Sequence, residues 1–214
     1  MEWGILIIGI VFIIVAYIVL QGTRASLAWR RAAAGGDLDV IRELLEESIS
    51  GWRSVKRPKE VATDVWRGVQ SVELVDVAPD SARISCQVES GYRLVDGRWV
   101  ETASPLQQGM ALTARLADML LYDVPNLRLA AACIDVYTTF RDPDGASERA
   151  CILTTNARRE VAQEVDWEAW PPAEIVEALG GRYRLGDRGA ALPVDADEKA
   201  GAPAAQRLGT QADR

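Results

Sequence analysis

The chain has 214 residues, a net charge of −7 and no histidine. The acidic balance excludes a broad nucleic-acid-binding surface. The lack of histidine excludes Ser-His-Asp and Cys-His catalytic systems and histidine-ligated metals. The three cysteines show no CxxC spacing, which is typical of a reducing compartment, and no cofactor or metal site is predicted.

The N-terminal region is strongly apolar, and residues 3–20 read WGILIIGIVFIIVAYIVL. A run of this length matches the ~17–25 residues of a membrane-spanning helix, and Trp3 and Tyr17 lie near its ends, where aromatic rings favour the interface. We therefore predict a transmembrane helix over residues 3–22. A cleaved signal peptide is an alternative that the acidic start and the long run disfavour, and a buried core helix is another.

The flanking charges predict the orientation of this helix. Arg24, Arg30 and Arg31 follow the apolar run, and no acidic residue appears before Asp37. By the positive-inside rule, the C-terminal side then faces the cytoplasm. The expectation is a single-pass signal anchor of the cell membrane, with the N-terminus outside, the bilayer as partner through residues 3–22, and a cytoplasmic C-terminal domain.

Residues 23–57 are predicted to form a juxtamembrane helical segment. Gly35 and Gly36 interrupt it, and Asp37 is a candidate N-cap for the next helix. Apolar residues then recur at helical spacing up to Trp52.

Residues 58–185 are predicted to form a globular α+β domain. Apolar and polar residues alternate over 82–89, as in a strand with one buried face, and Asp96-Gly97 is typical of a hairpin turn. Ser104 and Pro105, with Gln107 three residues after the serine, indicate a capped helix start. We predict an antiparallel sheet of about five strands with packed helices, followed by a disordered tail over residues 186–214.

Residues 32–89 contain AAAGGDLDVIRELLEE, VQSVELVDV and ARISCQV. These stretches resemble the beginning of the Tim44-like/NTF2-like cone. The resemblance implies a helix pair followed by a sheet curled around a pocket. The pattern departs after Ser104, where a long helix replaces further sheet, so no activity and no site residue follow from it.

Two groups of side chains are candidates for an interaction site. Asp135 lies between Ile134 and Val136, so alternation places it on the opposite face, where a carboxylate is either functional or simply solvated or covered by a loop. Asp166, Trp167 and Trp170 form an acidic and aromatic cluster. Such a cluster binds a sugar or a peptide in some proteins, although tryptophans more often fix a loop to its domain.

No catalytic set is recognisable, because GxSxG and phosphate-loop patterns are absent from the sequence. The leading hypothesis is a membrane-anchored, non-enzymatic interaction or assembly protein with a protein partner at the membrane. The alternatives are a membrane-tethered small-ligand-binding domain and an enzyme that uses carboxylates or a cysteine. The oligomeric state is left open.

Overall fold

A six-stranded sheet with helices on one face forms the centre of the protein. The computed structural model describes residues 12–20, 29–141, 144–145 and 147–197. Residues 12–20 and 29–34 are helical. The labelled helices are α1 (Leu38–Ser54), α2 (Thr63–Gln70), α3 (Pro105–Asp118), α4 (Arg159–Ala162) and α5 (Pro172–Ala178). The strands are β1 (Glu73–Val77), β2 (Ser81–Gln87), β3 (Gly91–Val95), β4 (Arg98–Ala103), β5 (Ala131–Arg141), β6 (Ser147–Arg158), β7 (Arg182–Leu185) and β8 (Ala191–Leu192).

The main sheet has the order β1-β2-β5-β6-β7-β8, and β3 and β4 form a separate two-stranded hairpin. The mixed α+β class is therefore confirmed. The prediction of an antiparallel sheet is wrong in one respect, because β2 and β5 pair in parallel. In the chain, the β3–β4 hairpin and α3 lie between β2 and β5. They form the crossover that lets β5 start at the same end of the sheet as β2, which a parallel pair requires.

The two predicted helix starts are confirmed. The Asp37 carboxylate accepts hydrogen bonds from two backbone N–H groups at the start of α1. Ser104 and Gln107 form a capping box at the start of α3, with Pro105 in the first turn. Each cap satisfies backbone donors that have no partner within the helix.

Helix α3 lies across β5 and β6, with α2 and α5 beside it. A Cβ atom at Gly109 would lie 3.2 Å from Val136 Cγ1, so the absence of a side chain lets the helix approach the sheet closely. Helix α1 belongs to the same core and buries Ile41, Leu45 and Ile49. The first part of the predicted helical segment 23–57 lies outside the described residues.

The predicted transmembrane helix is not supported. Among the residues that the structure describes, no helix is both long enough and apolar enough to cross a bilayer. The predictions of a span over 3–22, a signal anchor and a single-pass cell-membrane protein are therefore wrong; residues 1–11 and 21–28 lie outside the described part.

The beginning of the predicted disordered tail is ordered. Strand β8 pairs with β7, through Arg184 opposite Leu192. The backbone N–H of Val194 then donates a hydrogen bond to the carbonyl of Cys151, at 2.8 Å. These backbone hydrogen bonds extend the sheet beyond β7. They also bring the following residues to the face of the sheet that lies opposite α3. Residues 198–214 lie outside the described residues.

Candidate functional site

The face of the sheet opposite α3 carries polar side chains from three adjacent strands. Register places Ser85 of β2 beside Asp135 of β5, and Asp135 beside Thr154 of β6. Alternation sends Ile134 and Val136 to the helical side, where both are fully buried. The predicted orientation of Asp135 is therefore confirmed, and the structure shows what surrounds it.

Asp135 is the centre of a buried polar cluster and is only 2% exposed. One carboxylate oxygen accepts a hydrogen bond from Arg83 Nε at 2.6 Å, and the other accepts one from the Thr154 hydroxyl at 2.6 Å. Burial of the Asp135 carboxylate is tolerated because its charge is paired with Arg83 and because both of its oxygens accept a hydrogen bond. The pairing in turn raises the pKa of Arg83, first through the hydrogen bond from its guanidinium to Asp135.

The C-terminal segment 193–197 covers this cluster. Arg83 Nη1 donates to the carboxylate of Asp197 at 2.7 Å, and Arg83 Nη2 donates to the carbonyl of Ala196 at 2.8 Å. Asp197 is 82% exposed at its side chain, in contrast to Asp135. Arg83 therefore joins a buried carboxylate on one side to a solvent-facing carboxylate on the other.

A cavity of about 280 Å³ lies beside the cluster. Its lining includes Arg83, Ser85, Tyr137, Arg149 and Asp197. The guanidinium of Arg149 lies over the Tyr137 ring, 4.6 Å from its centre, which is a cation–π arrangement. Partial burial raises the pKa of the Tyr137 hydroxyl above its ordinary value. We call this space, with its lining residues, the sheet-face cleft.

The cysteines are poorly suited to nucleophilic chemistry. Burial raises the pKa of the Cys151 thiol to about 11, and the nearby Asp135 carboxylate adds to the effect. Burial also raises the pKa values of Cys86 and Cys133. Because the thiolate is the reactive form, these surroundings disfavour a cysteine-based mechanism.

The β3–β4 hairpin presents a second surface of interest. Asp96 and Gly97 both have positive φ, as a two-residue turn of this kind requires, and the predicted turn is confirmed. Tyr92, Leu94 and Trp99 lie on one face of the hairpin and are 57%, 56% and 71% exposed. Glu101 lies opposite Tyr92 at the edge of this face. The exposed area of these three side chains is on the order of 350 Å², which falls within the range of patches that are often functional.

The other predicted interaction residues have local structural contacts. The Asp166 carboxylate accepts hydrogen bonds from the backbone N–H groups of Glu168 and Ala169. Trp167 packs edge-to-face against Tyr122, with ring centres 6.2 Å apart. Trp170 is 38% exposed. Asp135 lies in the sheet, so the structure shows no contact that joins it to this cluster among the described residues.

The residues predicted to flank the membrane lie in different settings. Arg30 donates a hydrogen bond from Nε to the Asn126 side chain at 2.8 Å. Arg31 is exposed, and Tyr17 is 63% exposed on the helical segment 12–20. Trp3 and Arg24 lie outside the described residues.

Apart from Asp135, the sequence did not point to the residues that form the two surfaces. Arg83, Arg149 and Asp197 come from separate parts of the chain and show no common motif. In the hairpin, Leu94 and Trp99 flank Asp96-Gly97 symmetrically, and in a two-residue hairpin such positions lie opposite each other on one face.

Comparison with protein families, curated proteins and solved structures found no significant match. The resemblance to the Tim44-like/NTF2-like cone therefore gains no support. Within the described part of the chain, no group of three or more cysteine, aspartate or glutamate side chains is placed to hold a metal ion.

Proposed function

We propose that this chain is a non-enzymatic interaction module that binds a protein partner through the apolar face of the β3–β4 hairpin. The observation that carries the proposal is the exposure of Tyr92, Leu94 and Trp99 on a single face. Large aromatic side chains at such a density are typical of interface cores. Leaving them in water costs free energy that a partner surface recovers on binding.

The shape of the hairpin favours a partner with a concave surface. Two copies packed face to face would bury roughly 700 Å² in total, well below the ~1,200 Å² of a specific stable interface. The opposite face carries Val95 and Val100, which are 45% and 46% exposed. A groove that encloses the hairpin buries both faces and reaches a sufficient area.

The charges on the hairpin add to the description of this groove. Arg93 lies opposite Val100, and Arg98 lies opposite Val95, so both arginines share the second face. An acidic rim beside the apolar floor of the groove would complement them. The expected partner is therefore a different protein with an apolar groove and acidic residues along one edge.

The test compares two leucine substitutions of equal chemistry. Leu94→Ser removes an apolar side chain from the hairpin, and Leu185→Ser removes one that is 53% exposed on β7. A protein captured by the wild-type chain is purified, and its binding to each variant is measured by calorimetry. We expect Leu94→Ser to weaken binding about tenfold or more, with Leu185→Ser unchanged.

Three results would contradict the proposal. The first is equal binding by both leucine variants, which would place the contact elsewhere. The second is a failure of the wild-type chain to capture any stoichiometric partner. The third is light scattering that shows a wild-type dimer and a Leu94→Ser monomer, because the hairpin would then be a self-association surface.

A further inference from the structure

We propose that the sheet-face cleft binds a small dicarboxylate, one of whose carboxylates displaces Asp197 from Arg83. This site is separate from the hairpin surface and does not depend on it. The proposal rests on the position of Arg83, on the exposed carboxylate that now occupies it, and on two further polar groups in the same cleft.

Asp135 holds Arg83 in position for such a ligand. Its buried carboxylate accepts the Nε–H bond of the guanidinium, and Thr154 fixes the second carboxylate oxygen. The guanidinium is thereby held with Nη1 and Nη2 directed away from the buried carboxylate and towards the covering segment. A fixed guanidinium loses little conformational freedom when it binds an anion. Asp135 is thus a positioning residue.

Asp197 shows that a carboxylate fits at Nη1. Its oxygen lies 2.7 Å from that nitrogen, which is normal for a charge-assisted hydrogen bond. The side chain is 82% exposed, so the ion pair is largely open to water. Exposed pairs of this kind are worth little, and a second carboxylate can replace Asp197 without disturbing the buried bond to Asp135.

Two other groups of the cleft are suited to the rest of the ligand. Arg149 brings a second cation, and its guanidinium rests on the Tyr137 ring. The Ser85 side chain lines the same cleft, and Ser85 is only 7% exposed. A hydroxyl at this position can donate a hydrogen bond to a carboxylate oxygen of the ligand.

Charge and volume define the ligand class. Displacement of Asp197 leaves a place for one carboxylate at Arg83. Arg149 forms no ion pair with any residue that the structure describes, so its guanidinium is suited to a second carboxylate. The cavity of about 280 Å³ is equivalent to roughly nine water molecules. A four-carbon dicarboxylate fits this volume and can offer one carboxylate to each guanidinium.

The test is a calorimetric titration of the full chain with succinate at constant ionic strength. Neutral succinamide and inorganic phosphate serve as parallel probes. We expect saturable binding of succinate, with a dissociation constant of about 1 mM, no binding of succinamide, and weaker binding of phosphate. A nitrogen-15 spectrum should place the shifts at the residues of the cleft.

Three variants separate the cleft from general electrostatics. Asp197→Asn removes the competing carboxylate and should tighten binding about threefold to fivefold. Arg149→Gln removes the second cation and should weaken binding about tenfold or more. Arg98→Gln makes the same change of charge on the hairpin and should leave binding unchanged.

Several outcomes would overturn the proposal. Absence of saturable binding in both the wild-type chain and the Asp197→Asn variant would exclude the site. Phosphate binding as tight as that of succinate would refute the carboxylate class. Equal losses in Arg149→Gln and Arg98→Gln would show attraction by overall charge alone. An Asp197→Asn variant that binds no more tightly than the wild-type chain would refute the competition.

Discussion

Replacement of Asp135 by asparagine is the most direct probe of the polar cluster in the sheet. Asparagine has nearly the same shape and keeps an oxygen that can accept the Thr154 hydroxyl. It removes the negative charge that faces Arg83 at 2.6 Å. The guanidinium then has no charged partner on its buried side, and its remaining anionic contact is the exposed Asp197.

The magnitude follows from the burial of each partner. Breaking a fully buried ion pair by removing one member costs about 3–5 kcal/mol. Here Asp135 is 2% exposed but Arg83 is 26% exposed, so water partly solvates the guanidinium that remains. We therefore expect Asp135→Asn to lower the free energy of unfolding by about 2–3 kcal/mol.

Asp197→Asn is the matched control, because it removes a charge from the same guanidinium on the solvent side. Its carboxylate is 82% exposed, so the expected cost is about 0.5 kcal/mol or less. Urea unfolding followed by circular dichroism measures both variants, with the slope of the transition checked for two-state behaviour.

Two results would refute this account of the cluster. A loss below about 1 kcal/mol for Asp135→Asn would mean that the buried pair contributes little over its desolvation cost. Equal losses for the two variants would mean that burial does not distinguish the two carboxylates.

Three further predictions concern the framework and use the same unfolding assay. Ser104→Ala should cost about 1 kcal/mol, because it removes half of the capping box of α3. Gly51→Ala should stabilise the protein by up to about 1 kcal/mol, because Gly51 is helical and a Cβ atom there would meet no other atom within 4 Å. Gly181→Ala should destabilise the protein, because the new Cβ would lie 2.8 Å from the carbonyl oxygen of Val176. Stability should also fall between about pH 8.5 and 11, since an unfolded thiol ionises near pH 8.5 while folded Cys151 keeps its proton to about 11.

Each of these predictions has a distinct contrary outcome. An unchanged midpoint for Ser104→Ala would mean that water replaces the cap without cost. A stabilised Gly181→Ala variant would show that the backbone near Val176 relaxes freely. Between about pH 8.5 and 11, the folded chain binds more protons than the unfolded chain, so the free energy of unfolding must decrease as pH rises. A Cys151→Ala variant whose free energy of unfolding falls with pH as steeply as that of the wild-type chain would contradict the assignment of this effect to Cys151.

The sequence by itself determined the local features of this fold. Asp37 and Ser104 cap helices through atoms two or three residues away, and Asp96-Gly97 sets a turn by its own backbone preferences. Alternation likewise predicted the face on which Asp135 lies. Such features depend on interactions within a few residues, so a short pattern is enough to specify them.

The N-terminal apolar run shows the limit of such patterns. The hydropathy of residues 3–20 reflects only the composition of that segment. It predicted a membrane-spanning helix, and the residues that the structure describes contain no helix of that length and hydropathy. The resemblance over 32–89 rested in the same way on residues that many helix pairs and strands share.

Only the tertiary structure decided how the polar groups meet. Arg83 is 52 residues from Asp135 and 114 residues from Asp197 along the chain, yet it bonds to both. That meeting depends on the parallel pairing of β2 with β5 and on the return of residues 193–197 across the sheet. Contacts between distant residues leave no local periodicity, because they arise from the packing of whole elements around a common core.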